Sequence, residues 1–365
     1  MIKRILSVIL LVVLLASLAG IAPARAAGEL TVLSSSAEMD FPTTLTFEIA
    51  AESGAAITDI RLNYTVERME HAYIVGEFFI HFTPSTSVEA EYVWDMRMTG
   101  GLPPGASLRY WWRVTDASGA SLATSPASIV VKDDRYDWNS LTEGQVTLYW
   151  YEGNDAFAAE LMETTQTGLE KLEADTGARL ENAIRLYIYA NYDDLRSSMI
   201  YPQEWTGGVA FTQYGAIAIG IEPNIFAVEW GKGAIVHELT HLVIHRLVFN
   251  PYTGLPTWLD EGLAMVTMGE LSYGYVEALE TARENDQLIS VRSLASPFSS
   301  YADQSTLAYA QSYELVKYLI DTYGSDSMFA LLNTFRQGSG YDAALLAVYG
   351  FDMDGLDAAW RATLE

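Results

Sequence analysis

Two hydrophobic periods divide the chain. Up to about Lys132, apolar and polar residues alternate, as in Leu45, Phe47 and Ile49, in Ile60, Leu62, Tyr64 and Val66, in Tyr92, Trp94 and Met96, and in Leu108, Tyr110, Trp112 and Val114. Successive strand side chains point to opposite faces, so this period of two predicts antiparallel strands with one face on a core. The clusters Ser53-Gly54 and Ala117-Ser118-Gly119 read as turns between them, and several short strands in sequence predict a β-sandwich over residues 27–132. Residues 133–144, with Asp133, Asp134, Arg135 and Asp137, read as a polar linker.

Beyond the linker the pattern is mixed. Val146, Leu148 and Trp150 predict a strand, Phe157, Leu161, Leu169 and Leu172 an amphipathic helix, and Leu186, Ile188 and Tyr189 another strand. Gly207-Gly208-Val209-Ala210-Phe211 and Ile217-Ala218-Ile219 read as two strands around a turn, and after Gly233 the chain is mostly helical. Strands and helices followed by a helical block predict an α+β domain over residues 145–365. The expected architecture is therefore multidomain, an all-β sandwich followed by an α+β domain with a helical C-terminal half.

Lys3 and Arg4 precede an apolar run at 5–21, and Ala24-Arg25-Ala26 has the small-x-small pattern of a signal-peptidase site. Residues 1–26 are thus expected to be a cleaved signal peptide, leaving a secreted or extracytoplasmic protein, free or associated with the cell surface, with no stable membrane anchor. The 365 residues include no cysteine, which excludes disulfides, a thiol nucleophile, thiolate metal ligands and a lipobox. Formal charge is −26, and loss of Lys3, Arg4 and Arg25 with the signal makes it −29. So acidic a surface repels nucleic acid and anionic membranes, so neither is expected as a partner.

The chemistry concentrates in His237-Glu238-Leu239-Thr240-His241 and Trp258-Leu259-Asp260-Glu261-Gly262. On a helix, His237 and His241 lie about 40° and about 6 Å apart, so one ion can bridge both rings. Glu238 between them is placed to act on a water at that ion. Asn250-Pro251 should close this helix, and the loop through Gly254 and Pro256 can return a carboxylate to it. Asp260 and Glu261 both compete for that place, and about 100° of helical rotation separates them, so only one can face the metal. Two histidines and one carboxylate leave the fourth position of a tetrahedral zinc open, as catalysis requires. His245 continues the four-residue spacing but lies about 12 Å from His237, too far to join one site, and reads as a packing or hydrogen-bonded residue.

These motifs, with Pro256-x-Trp258-Leu259-x-Glu261-Gly262-x-Ala264 and Tyr309-x-Gln311-Ser312-Tyr313, resemble zinc metallopeptidases of the gluzincin type in the peptidase MA-like family. The likeness extends over about Val146 to Glu365 and includes the aminopeptidase N and thermolysin-like zinc site. It implies one zinc per chain, peptide-bond hydrolysis on a peptide or protein substrate, Glu238 as general base and Glu261 as third ligand. Tyr309 matches the catalytic tyrosine of the aminopeptidase-like pattern and precedes an apolar helix, which makes it the first candidate for oxyanion donor, with Tyr313 the alternative. Leu102-Pro103-Pro104-Gly105 leading into Tyr110-Trp111-Trp112-Arg113-Val114 is similar to part of a fibronectin type III or immunoglobulin-like domain.

Two positions depart from the relatives. The acidic residue with which aminopeptidases hold a substrate's free amino group is missing from 207–211, although the loop residues Glu204 and Glu222 could supply charge. Met265 stands where thermolysin-like enzymes carry the aspartate that orients a ligand histidine. Gly207 and Gly208, lacking side chains, can let an extended substrate approach the strand. Cleavage within peptides is therefore expected. The alternatives are an aminopeptidase, or an extracellular binding or adhesion protein whose zinc domain has lost turnover. Against the last, Glu238 holds no metal and would be the first residue a decayed enzyme could lose.

Overall fold

The computed structural model describes residues 29–69, 72–202, 206–299 and 302–364, with the side chains of 302–304 not included. The expected signal peptide, His71, Glu204 and Trp205 lie outside the described residues.

The N-terminal part is one antiparallel seven-stranded sheet: β1 (Thr31–Asp40), β2 (Thr44–Glu67), β3 (Gly76–Phe79), β4 (Ser85–Asp95), β5 (Ser107–Asp116), β6 (Ser121–Ala123) and β7 (Ala127–Val130). Its organiser is the 24-residue β2. The first half of β2 pairs with β1 and β4, the second half with β3 and β5. Leu45, Phe47 and Ile49 from one half and Ile57, Ile60 and Leu62 from the other share a single core. The expected turn at Ser53-Gly54 is thus absent. The chain changes partners there without leaving the strand, through register shifts between Glu52 and Ile57, and the buried Ser53 hydroxyl donates to Asp116 at 2.6 Å. One sheet organised around β2 replaces the separate sheets of the expected sandwich.

The second sheet has the order β11-β12-β10-β9-β8, formed by β8 (Asn139–Glu143), β9 (Val146–Trp150), β10 (Ile184–Tyr189), β11 (Gly208–Phe211) and β12 (Ala216–Gly220). The stretch expected to be a linker therefore carries β8, and it is anchored as well: buried Asp133 accepts from the Tyr189 hydroxyl at 2.9 Å. Strands β9, β10 and β12 run parallel, while β11 pairs antiparallel with β12 and is an outer strand.

The helices are α1 (Asp155–Thr176), α2 (Tyr192–Ser197), α3 (Ile225–Leu247), α4 (Thr257–Met268), α5 (Tyr273–Glu284), α6 (Val291–Leu294), α7 (Ala302–Tyr323), α8 (Ser325–Arg336), α9 (Tyr341–Tyr349) and α10 (Met353–Arg361). Helix α3 begins earlier than the sequence pattern suggested, because the Asn224 side chain accepts from the amides of Phe226 and Ala227. It buries Ile235, Leu239, Leu242 and Val243 in the main core beneath the sheet. The two parts meet closely. The Met69 amide donates to the Gln213 carbonyl at 3.0 Å, and Tyr214, in the turn between β11 and β12, packs on the N-terminal core. Among the described residues no helix is long and apolar enough to cross a membrane.

Candidate active site

Helix α3 presents His237, Glu238 and His241 half-buried, and α4 returns Asp260 and Glu261 to them. The return is fixed by the loop. The Asn250 side chain donates to the carbonyls of Val248, Thr253 and Phe335 and accepts from the amides of Tyr252 and Thr253. Pro256, with its fixed φ of −64°, then starts α4. Gly262 lets α4 and α7 touch, since a Cβ there would collide with the Ser312 carbonyl oxygen and stand 2.6 Å from Val316 Cγ2. The glycine after the ligand glutamate is thus a packing requirement.

Three donor atoms converge. His237 Nε2 and His241 Nε2 are 3.2 Å apart, and Glu261 Oε2 lies 3.4 Å from the first and 3.5 Å from the second. Tetrahedral zinc with bonds of about 2.0–2.1 Å separates its donors by about 3.3–3.4 Å, so the spacing fits that ion. Glu261 Oε2 is buried and receives no hydrogen bond, which is costly unless a cation meets it. Burial raises the Glu261 pKa, but the facing His237 and His241 imidazoles outweigh it and hold the carboxyl at about 2. The donor set therefore fits zinc.

Asp260 has a different role. Its Oδ1 lies 2.9 Å from His241 Nδ1 and its Oδ2 lies 2.7 Å from His245 Nε2. These are hydrogen-bond lengths, shorter than donor separations on a tetrahedral metal, so this second cluster of His241, His245 and Asp260 is a relay. Burial works against the Asp260 charge, but His241 and His245 overcome it and push the pKa far below the carboxylate range. An ionised carboxylate only accepts, so His241 keeps a proton on Nδ1, which leaves Nε2 as the nitrogen that would ligate. The partner that Met265 does not supply comes instead from the residue next to the ligand. The signal was present in the four-residue step from His241 to His245 and in Asp260 beside Glu261, but not the fact that one carboxylate spans both rings.

Gly208, beside β12 at the outer edge, faces the base, and a Cβ added there would be 3.2 Å from Glu238 Cγ and Oε1. Gly207 faces Trp230 and Tyr192 instead. Tyr309 lies within α7 rather than ahead of a helix, because α7 is continuous from Ala302. Burial, with Glu261, Tyr275 and Glu238 around it, pushes the Tyr309 phenol well above the ordinary tyrosine range and keeps it protonated. Tyr313 feels burial and then Lys317, Glu314 and Glu270, none of which is in the donor trio. Of the two tyrosines, Tyr309 is the one whose phenol feels Glu261 and Glu238. Tyr275 of α5, raised by burial and by Glu261, is a second phenol near the ligands that the sequence did not single out. Exposed Glu222 accepts from the Asn224 side chain at 3.0 Å.

A His-His-Glu donor trio, with a glutamate on the same helix turn and an outer strand alongside, defines the class: a zinc metallopeptidase. Residues 164–365 match the family described as the Peptidase MA superfamily, and the chain belongs to it. No curated protein matches the chain. Among solved structures it is similar to Legionella pneumophila aminopeptidase A in complex with aspartic acid, at 10% identity and a TM-score of 0.38, covering 91% of this chain and 50% of that one. It thus spans half the length of that relative. It is also similar to the M1 zinc metallopeptidase from Deinococcus radiodurans, at 11% identity and a TM-score of 0.34, covering 92% of this chain and 94% of that one. A mutant of the Deinococcus enzyme bound to a Tyr-Ser-Ala substrate gives 11% identity, a TM-score of 0.39 and the same coverage.

Proposed function

We propose that this chain is an exported zinc-dependent endopeptidase, holding one zinc through His237, His241 and Glu261 and cleaving within peptide or protein substrates. The observation that carries this reading is Glu238. It shares a helix turn with both histidines and lies against Gly208 on an outer strand. When bound, zinc supplies Lewis acidity to the attacking water and to the peptide carbonyl.

Glu238 takes the proton from that water and delivers it to the leaving amine. Its half-buried carboxylate is kept beside the strand by the absence of a side chain at Gly208. Tyr309, protonated at neutral pH, donates a hydrogen bond to the carbonyl oxygen as negative charge develops there. Asp260 holds His241 in the tautomer that ligates. The outer edge of β11 accepts the substrate backbone as an added strand, with Gly207 and Gly208 giving close approach.

Strand β11 carries no carboxylate for a substrate's ammonium group, which favours internal cleavage over removal of N-terminal residues. The test is a digest of matched free and N-acetylated peptides with the zinc-loaded protein. Internal cuts at similar rates in both are expected. Release of N-terminal residues alone, stopped by acetylation, would make the enzyme an aminopeptidase.

A further inference from the structure

The base and the two histidine ligands occupy one end of the face that α3 turns toward β11. The other end is aromatic. Trp230 precedes His237 by seven residues, which places it about 20° away around the helix and about 10 Å back along it. Its ring is 46% exposed and meets Tyr192, 43% exposed, edge to face at 5.6 Å between centroids. Both rings close on the start of the outer strand. A Cβ at Gly207 would stand 2.8 Å from Trp230 Cη2 and 3.4 Å from Tyr192 Cε1. One turn further toward the helix start, Phe226 is 87% exposed. The result is an aromatic corner continuous with the strand edge, floored by the same helix that carries the ligands.

We infer that Trp230 and Tyr192 form a specificity subsite for a large apolar or aromatic side chain of an extended peptide substrate, beside the start of the outer strand at Gly207. This rests on the endopeptidase reading. The rings face Gly207, the neighbour of the Gly208 that faces Glu238, so the side chain they take stands at a fixed place relative to the cleaved bond. The occupant is a substrate side chain rather than a separate partner because the corner continues the edge of β11 and ends at Gly207. Backbone pairing along that edge carries little sequence information, whereas a pocket for one side chain does. Exposed aromatic rings in an edge-to-face pair present two apolar walls at a fixed angle, which suits a flat or branched hydrocarbon group.

Two measurements test this separately from turnover. In the first, acetylated and amidated alanine-rich dodecapeptides carrying one phenylalanine, with an all-alanine control, are titrated against the zinc-loaded Glu238→Gln protein. The phenylalanine peptides should bind about tenfold tighter than the control, and Trp230→Ala in the same background should remove that difference without changing zinc content. Equal binding of both peptides, or a preference that survives Trp230→Ala, would overturn the subsite even if the enzyme cleaves well. In the second, wild-type cleavage of the phenylalanine scan should place the phenylalanine at one fixed position relative to the cut, and Trp230→Ala should remove that preference. Cuts with no fixed spacing from the phenylalanine, or a spacing that survives Trp230→Ala, would contradict it. Failure of wild type to cleave any peptide, with the binding difference intact, would count against the hydrolase reading and not against the subsite.

Discussion

At the level of single residues, the site divides into atoms that meet a metal and atoms that orient them. His237 and His241 were legible from spacing because helical geometry alone brings a four-residue pair together, whereas Glu261 was singled out through the family resemblance. Asp260 was legible only as a competitor of Glu261. What the sequence could not show is that the two carboxylates divide the work, with Glu261 facing the trio and Asp260 gripping His241 and His245. Asp260→Asn should therefore weaken zinc affinity by about 10–100-fold, since the amide cannot accept from both rings, as read by competition with a fluorescent chelator. Unchanged affinity would remove Asp260 from this role. His241 also predicts proton release. Burial lowers its pKa, but Asp260 and Glu261 raise it further, to well above the ordinary histidine value of 6.5. That direction favours the charged ring in the metal-free protein, which must lose a proton to ligate. Calorimetry of zinc binding in buffers of different ionisation enthalpy should show release of about one proton or more. Heats independent of the buffer would contradict the coupling.

At the level of elements, strand and helix types followed from periodicity, and their ends and partners did not. Strand β2 was read as two strands with a turn because Ser53-Gly54 looks like punctuation, but the bond from Ser53 to Asp116 and the shifts in register keep the strand continuous. Strand β8 was hidden in a polar sequence because, at the sheet edge, only Leu141 of its five residues packs on the core. Helix α4 illustrates a constraint that motif matching reads as chemistry. Gly262→Ala would force a methyl into the Ser312 carbonyl of α7, where no side chain can move aside. The expected cost is about 1–3 kcal/mol. At about 2–4 °C per kcal/mol for a unit of this size, thermal unfolding should shift down accordingly. A melting curve identical to wild type would show that the helices can separate without penalty.

For the molecule as a whole, the sequence predicted the order of parts but not their joining. Acidic residues outnumber basic ones by 26, yet several of the cations are committed to structure: Arg135 binds Asp133, and Arg292 binds Asp342 and Asp354. The N-terminal sheet reaches the turn behind the outer strand through Tyr214 and the bond from Met69 to Gln213, so the outer strand rests on both parts. That junction was invisible beforehand because it joins residues over a hundred positions apart with no shared motif. Export is a separate claim. Expression of the full sequence in a secreting bacterial host should yield a mature N-terminus at Ala27 by N-terminal sequencing, and retention of Met1 in the purified product would contradict a cleaved signal.

The central claim is that Glu238 performs proton transfer beside a zinc held by His237, His241 and Glu261. The most direct measurement is turnover of one peptide library by wild type and Glu238→Gln at equal, measured zinc content. Equal zinc in both and a loss of turnover of about 10²–10⁴-fold in the variant are expected. Equal turnover at equal zinc would contradict it.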